Sequence, residues 1–246
     1  MRAAIMQPYF FPYIGYWQLF FNCDVWVFFD SVQYNKKSWM NRNRILHSDS
    51  SKEFQYVNVP IRKHPKGTLI KDVRLNNDEE WVKRFLGQLA VYKRLRAPYY
   101  NEVIDLVGDI IEEGHESFVS LVICAADKIS EYLGKSVEYK LSSELGLDES
   151  LIREADDWAL LISELLGADE YINPPGGAEI FNADKYHDRG IDIMFLKSNL
   201  SEYKQSQREF VAGLSIIDLL MFNSKERVCG IIDNDYRLLP KSSIVR

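Results

Sequence analysis

The chain has 246 residues, 46% of them apolar and 27% charged, a mixture that can bury a substantial core and excludes a disordered or low-complexity polypeptide. Its net charge of −6 conceals an asymmetry: residues 1–100 hold 16 Lys and Arg against 8 Asp and Glu, a balance of +8, whereas residues 101–246 hold 14 against 28, a balance of −14. The acidic part argues against an extended nucleic-acid footprint, which needs many phosphate contacts, and the basic part favours a small anionic ligand.

Residues 3–6 form a short apolar run that reads as a buried strand. Pro8 and Pro12 stop it at Gln7, because each removes a ladder donor and restricts the residue before it. Residues 13–22 carry Ile14, Trp17, Phe20 and Phe21 at spacings of three and four, as an amphipathic helix does. The free N–H groups at its start would face the loop and attract an anion. Gln7, Tyr13 and Tyr16 are therefore candidate site residues, whereas Phe10 and Phe11 read as core.

Residues 24–30 are an apolar run between two carboxylates, suited to a parallel strand buried on both faces and ending at Asp30. Beyond it come Gln33, Lys36, Lys37, Trp39, Asn41, Arg42, Asn43 and Arg44. A dense charge run is commonly a solvated face. The interleaved indole and amides point instead to recognition of phosphate or carboxylate by guanidinium forks.

The rest of the chain reads mainly as scaffold. Residues 54–60 alternate as a strand, and the turn at 64–67 predicts a β-hairpin with residues 69–75. An acidic start at 77–80 leads into a helix over 81–92; residues 101–113 and 116–133 read as further amphipathic helices. Strands are expected at 137–141, 170–173 and 191–196 and a helix at 156–166, a strand–helix–strand order that implies a parallel crossover. The turn at 174–177 is expected near the mouth of the site, though its two prolines remove donors that a phosphate loop needs. Tyr203, Gln205 and Gln207 follow the last of these strands. Ser215 reads as the N-cap of a helix reaching Phe222, with Asp218 as its capping-box partner.

Cys23, Cys124 and Cys229 are odd in number and lack metal-type spacing, so neither a disulfide framework nor a zinc site is expected; Cys23 reads as a packed thiol. His115 and His187 read as surface residues, and His47 and His64 lie nearer the basic region. Residues 13–29 are too short and too polar to span a bilayer, and the N-terminus lacks the pattern of a leader peptide. The expected location is the cytoplasm, and the expected organisation is one domain over residues 1–246.

Two segments carry a family resemblance: Gln7-Pro-Tyr-Phe-Phe-Pro-Tyr-Ile-Gly-Tyr16, and the block from Asp30 through Val32-Gln33-Tyr34, Lys36, Trp39 and Asn41-Arg-Asn-Arg44. Together they resemble the opening of the WbqC-like protein family, bacterial proteins encoded among surface-polysaccharide genes. Ala97-Pro98-Tyr99-Tyr100, Leu166-Gly167-Ala168, Tyr203-Lys204-Gln205 and residues 214–220 resemble later steps of the same pattern, so the likeness covers residues 3–222. It implies a role in O-antigen assembly, by transfer of a glycyl or similar acyl group to an amino sugar.

The expected fold is α/β: a mostly parallel sheet with a β-hairpin insertion and a helix-rich C-terminal half. Its strand–loop–helix opening is similar to the nucleotidyltransferase-like superfamily. Where that superfamily carries His-x-Gly-His, this chain has Tyr13-Ile14-Gly15-Tyr16, and phenols with a pKa of about 10 cannot replace an imidazolium's charge. Two functions fit these residues. One is a transferase in which Asp30, or else His47, deprotonates the attacking amine. Lys36, Arg42 and Arg44 would then hold an anionic group, Gln7, Gln33, Asn41 and Asn43 would orient the substrates, and Tyr13, Tyr16 and Trp39 would contact sugar or base. The other is a non-catalytic protein that binds a phosphorylated sugar or an acidic partner with the same residues. The sequence names no cofactor; coenzyme A, a carrier protein, aminoacyl-tRNA and an ATP-activated amino acid all remain as donors.

Overall fold

The computed structural model describes residues 1–77, 80–206 and 209–244. Residues 78 and 79 of the acidic helix start, and Gln207, lie outside the described residues. A six-stranded sheet is built from β1 (Arg2–Met6), β2 (Val25–Phe28), β5 (Glu138–Leu141), β6 (Glu170–Asn173), β7 (Asp192–Ser198) and β8 (Tyr236–Pro240), in the order β5-β2-β1-β6-β7-β8. All neighbours pair in parallel except β8, which runs antiparallel to β7.

The continuous apolar runs of β1 and β2 follow from burial on both faces. Ala4, Trp26 and Phe28 point into a large core, while Ile5, Val25 and Val27 point into a smaller one. This alternation is the period of two of a strand. The large core is closed by α1 (Ile14–Phe21), α2 (Trp81–Arg94), α3 (Tyr100–Ile111), α4 (Phe118–Leu133), α7 (Ile216–Phe222) and α8 (Lys225–Asn234). On the opposite face α5 (Asp157–Leu166) and α6 (Ala183–His187) supply Leu160, Ile162 and Tyr186 to the smaller core.

A hairpin does form, but with a different partner from the one the turn at 64–67 suggests. β4 (Phe54–Asn58) pairs antiparallel with β3 (Arg42–Leu46), inside the basic block. Residues 69–75 instead make a single 3₁₀ turn at Ile70–Asp72 and isolated bridges from Leu69 to Gln33 and from Leu75 to Ile61. The end of the basic block is thus a strand whose alternation has a period of two. Arg42 and Arg44 face outward with Tyr56, and Asn43 and Ile45 face inward with Val57.

β1 lies between β2 and β6: the chain runs outward from β1 to β2 and β5, then crosses back to β6 on the other side of β1, so the strand order reverses there. Crevices at such switch points, outside the carboxyl ends of parallel strands, are where open α/β sheets bind ligands. The loop from Gln7 to Tyr13 leaves the sheet there. Ser215 is the N-cap of α7, its hydroxyl accepting from the Ile217 N–H at 3.3 Å. Asp218 is not its capping-box partner: its carboxylate is buried and accepts from Tyr203 Oη at 2.6 Å and Gln205 Nε2 at 2.7 Å.

Candidate functional site

The proline-rich loop is held in an unusual conformation. Phe11 has φ of +39°, a region costly for a non-glycine residue, and its ring is buried against Phe10 and Phe85. Its carbonyl accepts from Asn43 Nδ2 at 2.6 Å and Ser215 Oγ at 2.7 Å. The Phe10 N–H donates to the Met40 carbonyl at 2.8 Å, and the Ile216 N–H to the Pro12 carbonyl at 2.9 Å. Loop, basic block and α7 therefore form one frame.

On the outer side of that frame lies a cleft of about 450 Å³ lined by Tyr9, Tyr13, Trp39, Asn43, Arg44, Leu200 and Gly213. Trp39 is 41% exposed. The Arg42 and Arg44 guanidiniums lie 5.1 and 5.5 Å from its ring centroid, and Arg44 also sits 4.9 Å from the Phe54 ring. Stacked arginines of this kind keep their charge and their donor fork. Arg42 gives one bond to the Lys37 carbonyl and Arg44 one to the Gly213 carbonyl. Neither guanidinium has an acidic partner among the described residues. Burial raises the phenols of Tyr9 and Tyr13 above their ordinary value, so both are neutral hydroxyl donors. The arrangement can stack a flat ring or a sugar face on the indole and pair an anion with the guanidiniums.

The expected site residues do not all meet. Tyr13, Trp39, Asn43 and Arg44 share this cleft, with Arg42 beside it. Gln33 and Lys36 line a second cleft, together with Tyr34, Lys37, His64 and Lys66. Gln7 and Asp30 leave the same edge of the sheet, since Met6 pairs with Phe28 in parallel, yet neither lines either cleft. Tyr16 is buried against Trp26 and donates its hydroxyl to the Gln7 carbonyl at 3.1 Å. Asn41 donates to the Val59 carbonyl at 2.8 Å and so fastens the hairpin. His47 stands in the turn between β3 and β4, its Nδ1 accepting from the Asp49 N–H at 2.8 Å. The 174–177 turn packs on Phe181 and is absent from the lining of both clefts.

Asp30 is 1% exposed and its carboxylate is occupied. Oδ1 accepts from Ser142 Oγ and the Ser143 N–H, both at 2.9 Å, and Oδ2 accepts from Ser143 Oγ at 2.8 Å. These bonds make it a strut between the ends of β2 and β5. His115 is not an ordinary surface residue either: its side chain is 9% exposed and Nε2 lies 2.8 Å from the Ile110 carbonyl. Cys23 is a packed thiol, pushed up to about 12 by burial.

Tyr9, Leu200 and Gly213 belong to the cleft without any signal that singled them out as ligands. Gly213 has φ of +67°, and a Cβ there would stand 3.3 Å from Arg44 Nη2. Its place is set by the approach of the guanidinium from a strand distant in sequence.

The family model of the WbqC-like protein family matches residues 7–229. Among curated proteins the chain is similar to "Uncharacterized protein Rv1507c" of Mycobacterium tuberculosis, with 27% identity over 229 residues, covering 89% of this chain and 92% of that protein. No solved structure matches the chain. Among the described residues no helix is long and apolar enough to cross a membrane.

Proposed function

For this chain, which belongs to the WbqC-like protein family, we propose recognition of a phosphorylated amino sugar, nucleotide-linked or lipid-linked, and transfer of an acyl or aminoacyl group such as glycyl to its amine. The setting would be surface-polysaccharide assembly on the cytoplasmic side. One observation carries the reading: an exposed indole flanked by two guanidiniums without acidic partners among the described residues, lining one cleft with two neutral tyrosines. Trp39 would stack on the ring, Arg44 and Arg42 would hold its phosphate, and the Tyr9 and Tyr13 hydroxyls would donate to oxygens that gain charge.

In the transfer the amine nitrogen attacks the acyl carbon, and the bond from that carbon to the leaving sulfur or oxygen breaks. Among the described residues no carboxylate or imidazole lines the stacking cleft, so the amine's proton is assigned to the leaving group, and catalysis comes from orientation and charge stabilisation. Adenylyl transfer of the nucleotidyltransferase kind is not proposed, because the buried Tyr16 and neutral Tyr13 cannot supply positive charge.

The absence of a proton acceptor from that lining, with the Asp30 carboxylate engaged elsewhere, favours a second reading: a binding protein for the same sugar. Calorimetric titration of a UDP-linked amino sugar with a free amine tests both readings. It is followed by mass spectrometry of that sugar after incubation with a glycyl thioester or glycyl-tRNA. Binding with acylation supports the transferase, binding alone supports the second reading, and no binding removes both.

A further inference from the structure

The second cleft, about 540 Å³, is built from two turns that the sequence treats as separate. In the first, Asn35 accepts the Lys37 N–H on its side chain at 2.9 Å and the Ser38 N–H on its carbonyl at 3.0 Å. In the second, the Pro65 carbonyl accepts Thr68 Oγ1 at 2.9 Å, and Gly67 supplies a φ of +89°. The Tyr34 N–H donates to the Thr68 carbonyl at 2.9 Å, and Gln33 bridges Leu69, so the turns lie side by side. This brings Lys36 and Lys37 of one turn together with Lys66 and His64 of the other.

Among the described residues the lining holds no carboxylate. No acidic group among the described residues lies within ion-pair distance of Lys36, Lys37 or Lys66. His64 adds an independent sign. Its Nδ1 lies 3.0 Å from the Pro65 carbonyl and its ring meets Tyr34 edge-on at 5.3 Å, while Nε2 is buried without a hydrogen-bond partner. Buried polar atoms are rarely left unsatisfied, and like charges gathered without counter-charge repel one another until an anion arrives.

We propose that this lysine cleft is a phosphate-chain site, distinct from the stacking cleft, that holds the phosphates of the activated donor while the amino sugar occupies the first cleft. The donor assignment rests on the transferase reading; the binding of a phosphate chain does not. Arg42 joins the two clefts: it donates to the Lys37 carbonyl and lies over Trp39. Both substrates are then bound at once, and transfer follows a sequential rather than a ping-pong order.

The test is titration of inorganic pyrophosphate into the full chain at low ionic strength, where surface charge is least screened. Saturable binding is expected, with an affinity loss of about tenfold or more in the triple variant Lys36→Ala, Lys37→Ala, Lys66→Ala, since three charge-assisted contacts are removed together. A charge-matched control, Lys83→Ala, Lys93→Ala, Lys197→Ala, should bind as the wild type does. Trp39→Ala should keep pyrophosphate binding while weakening the sugar, which separates this proposal from failure of the stacking-cleft reading. No saturable binding, equal loss in both triple variants, or equal loss in Trp39→Ala would overturn it. ADP and vesicles containing phosphatidic acid are then compared as competitors. Displacement by ADP assigns a soluble nucleotide carrier, displacement by vesicles a lipid-borne one, and displacement by neither overturns the assignment to a substrate's phosphates.

Discussion

Asn43 donates its side-chain amide to the carbonyl of Phe11 at 2.6 Å, and by this bond a strand of the basic block fixes a loop residue held at φ of +39°. Asn43 is 1% exposed, so the bond is made in the interior, where an unmet carbonyl costs most. The stacking cleft is thus a consequence of the core beneath it: Trp39 and Arg44 stand on the outer face of the same segment whose inner face clamps the proline-rich loop.

Asn43→Ala should lower stability by about 1–3 kcal/mol: the Phe11 carbonyl keeps Ser215 Oγ but loses one of its two donors, and the Arg44 N–H loses the Asn43 Oδ1 that accepts it at 2.8 Å. Asn43→Asp should cost more, because a carboxylate would face the carbonyls of Phe10 and Phe11. Denaturant midpoints check both. An Asp variant as stable as the wild type would show that the amide is dispensable.

Asp30→Asn replaces an acceptor of three donors by a group that presents an N–H₂ to serine hydroxyls and an amide. A stability loss of about 1–3 kcal/mol is expected, with ligand binding and any transfer rate per folded molecule unchanged. A rate that collapses while the melting temperature holds would restore Asp30 as the base.

Arg44→Ala and Trp39→Ala should each weaken the sugar ligand by about 1–3 kcal/mol, through loss of a charge-assisted contact and of a stacking face respectively. Arg44→Lys should recover little of the loss, since an ammonium lacks the planar fork that lies over Trp39 and Phe54. Full recovery by lysine would mean that only the charge matters.

Gly15→Ala tests Tyr13 without touching it. A Cβ at position 15 would stand 2.5 Å from the Tyr13 ring, so the ring must swing out of its place over α1. Alanine is the better helix former by about 1 kcal/mol, which limits the damage to the fold. Ligand affinity should fall while the thermal transition changes little; unchanged affinity would remove Tyr13 from the binding surface.

Burial lifts the Asp218 carboxyl from 3.8 to about 6, against the opposing pull of Tyr203 and Gln205. Between those pH values the native state keeps a proton that the unfolded state has released, so stability falls as pH rises from about 4 to about 6, by about 3 kcal/mol in all, and is level above. Asp218→Asn removes this slope. The stability difference between wild type and variant should therefore shift in the variant's favour by about that amount from pH 4 to pH 7, read from denaturant curves. A difference independent of pH would show that Asp218 does not titrate in this range.

Much of the fold was legible because its signals are local. The apolar runs of β1 and β2, the amphipathic spacing of α2 to α4 and the proline stop after Gln7 each declare themselves within a few residues. β3 escaped because its alternation is written in arginine and asparagine rather than in polar and apolar residues, although Arg42 and Arg44 outward with Asn43 and Ile45 inward is the same period of two. β8 lies beyond the residues that resembled any family pattern, and it pairs with a strand that ends 38 positions earlier.

The sequence by itself determined which residue types are available for recognition, their concentration in two segments, and the buried strands β1 and β2 that precede those segments, because composition and periodicity act over short distances. Only the tertiary structure decided how those residues are divided: Arg44 and Trp39 to one cleft, Lys36 and Gln33 to another, Asp30, Asn41 and Tyr16 to the frame. That division depends on hydrogen bonds from partners far along the chain, Ser142 and Ser143 for Asp30, Val59 for Asn41 and Ser215 for the loop. A side chain's chemistry is set by its type, but whether it faces a ligand or a backbone carbonyl is set by what folding brings against it.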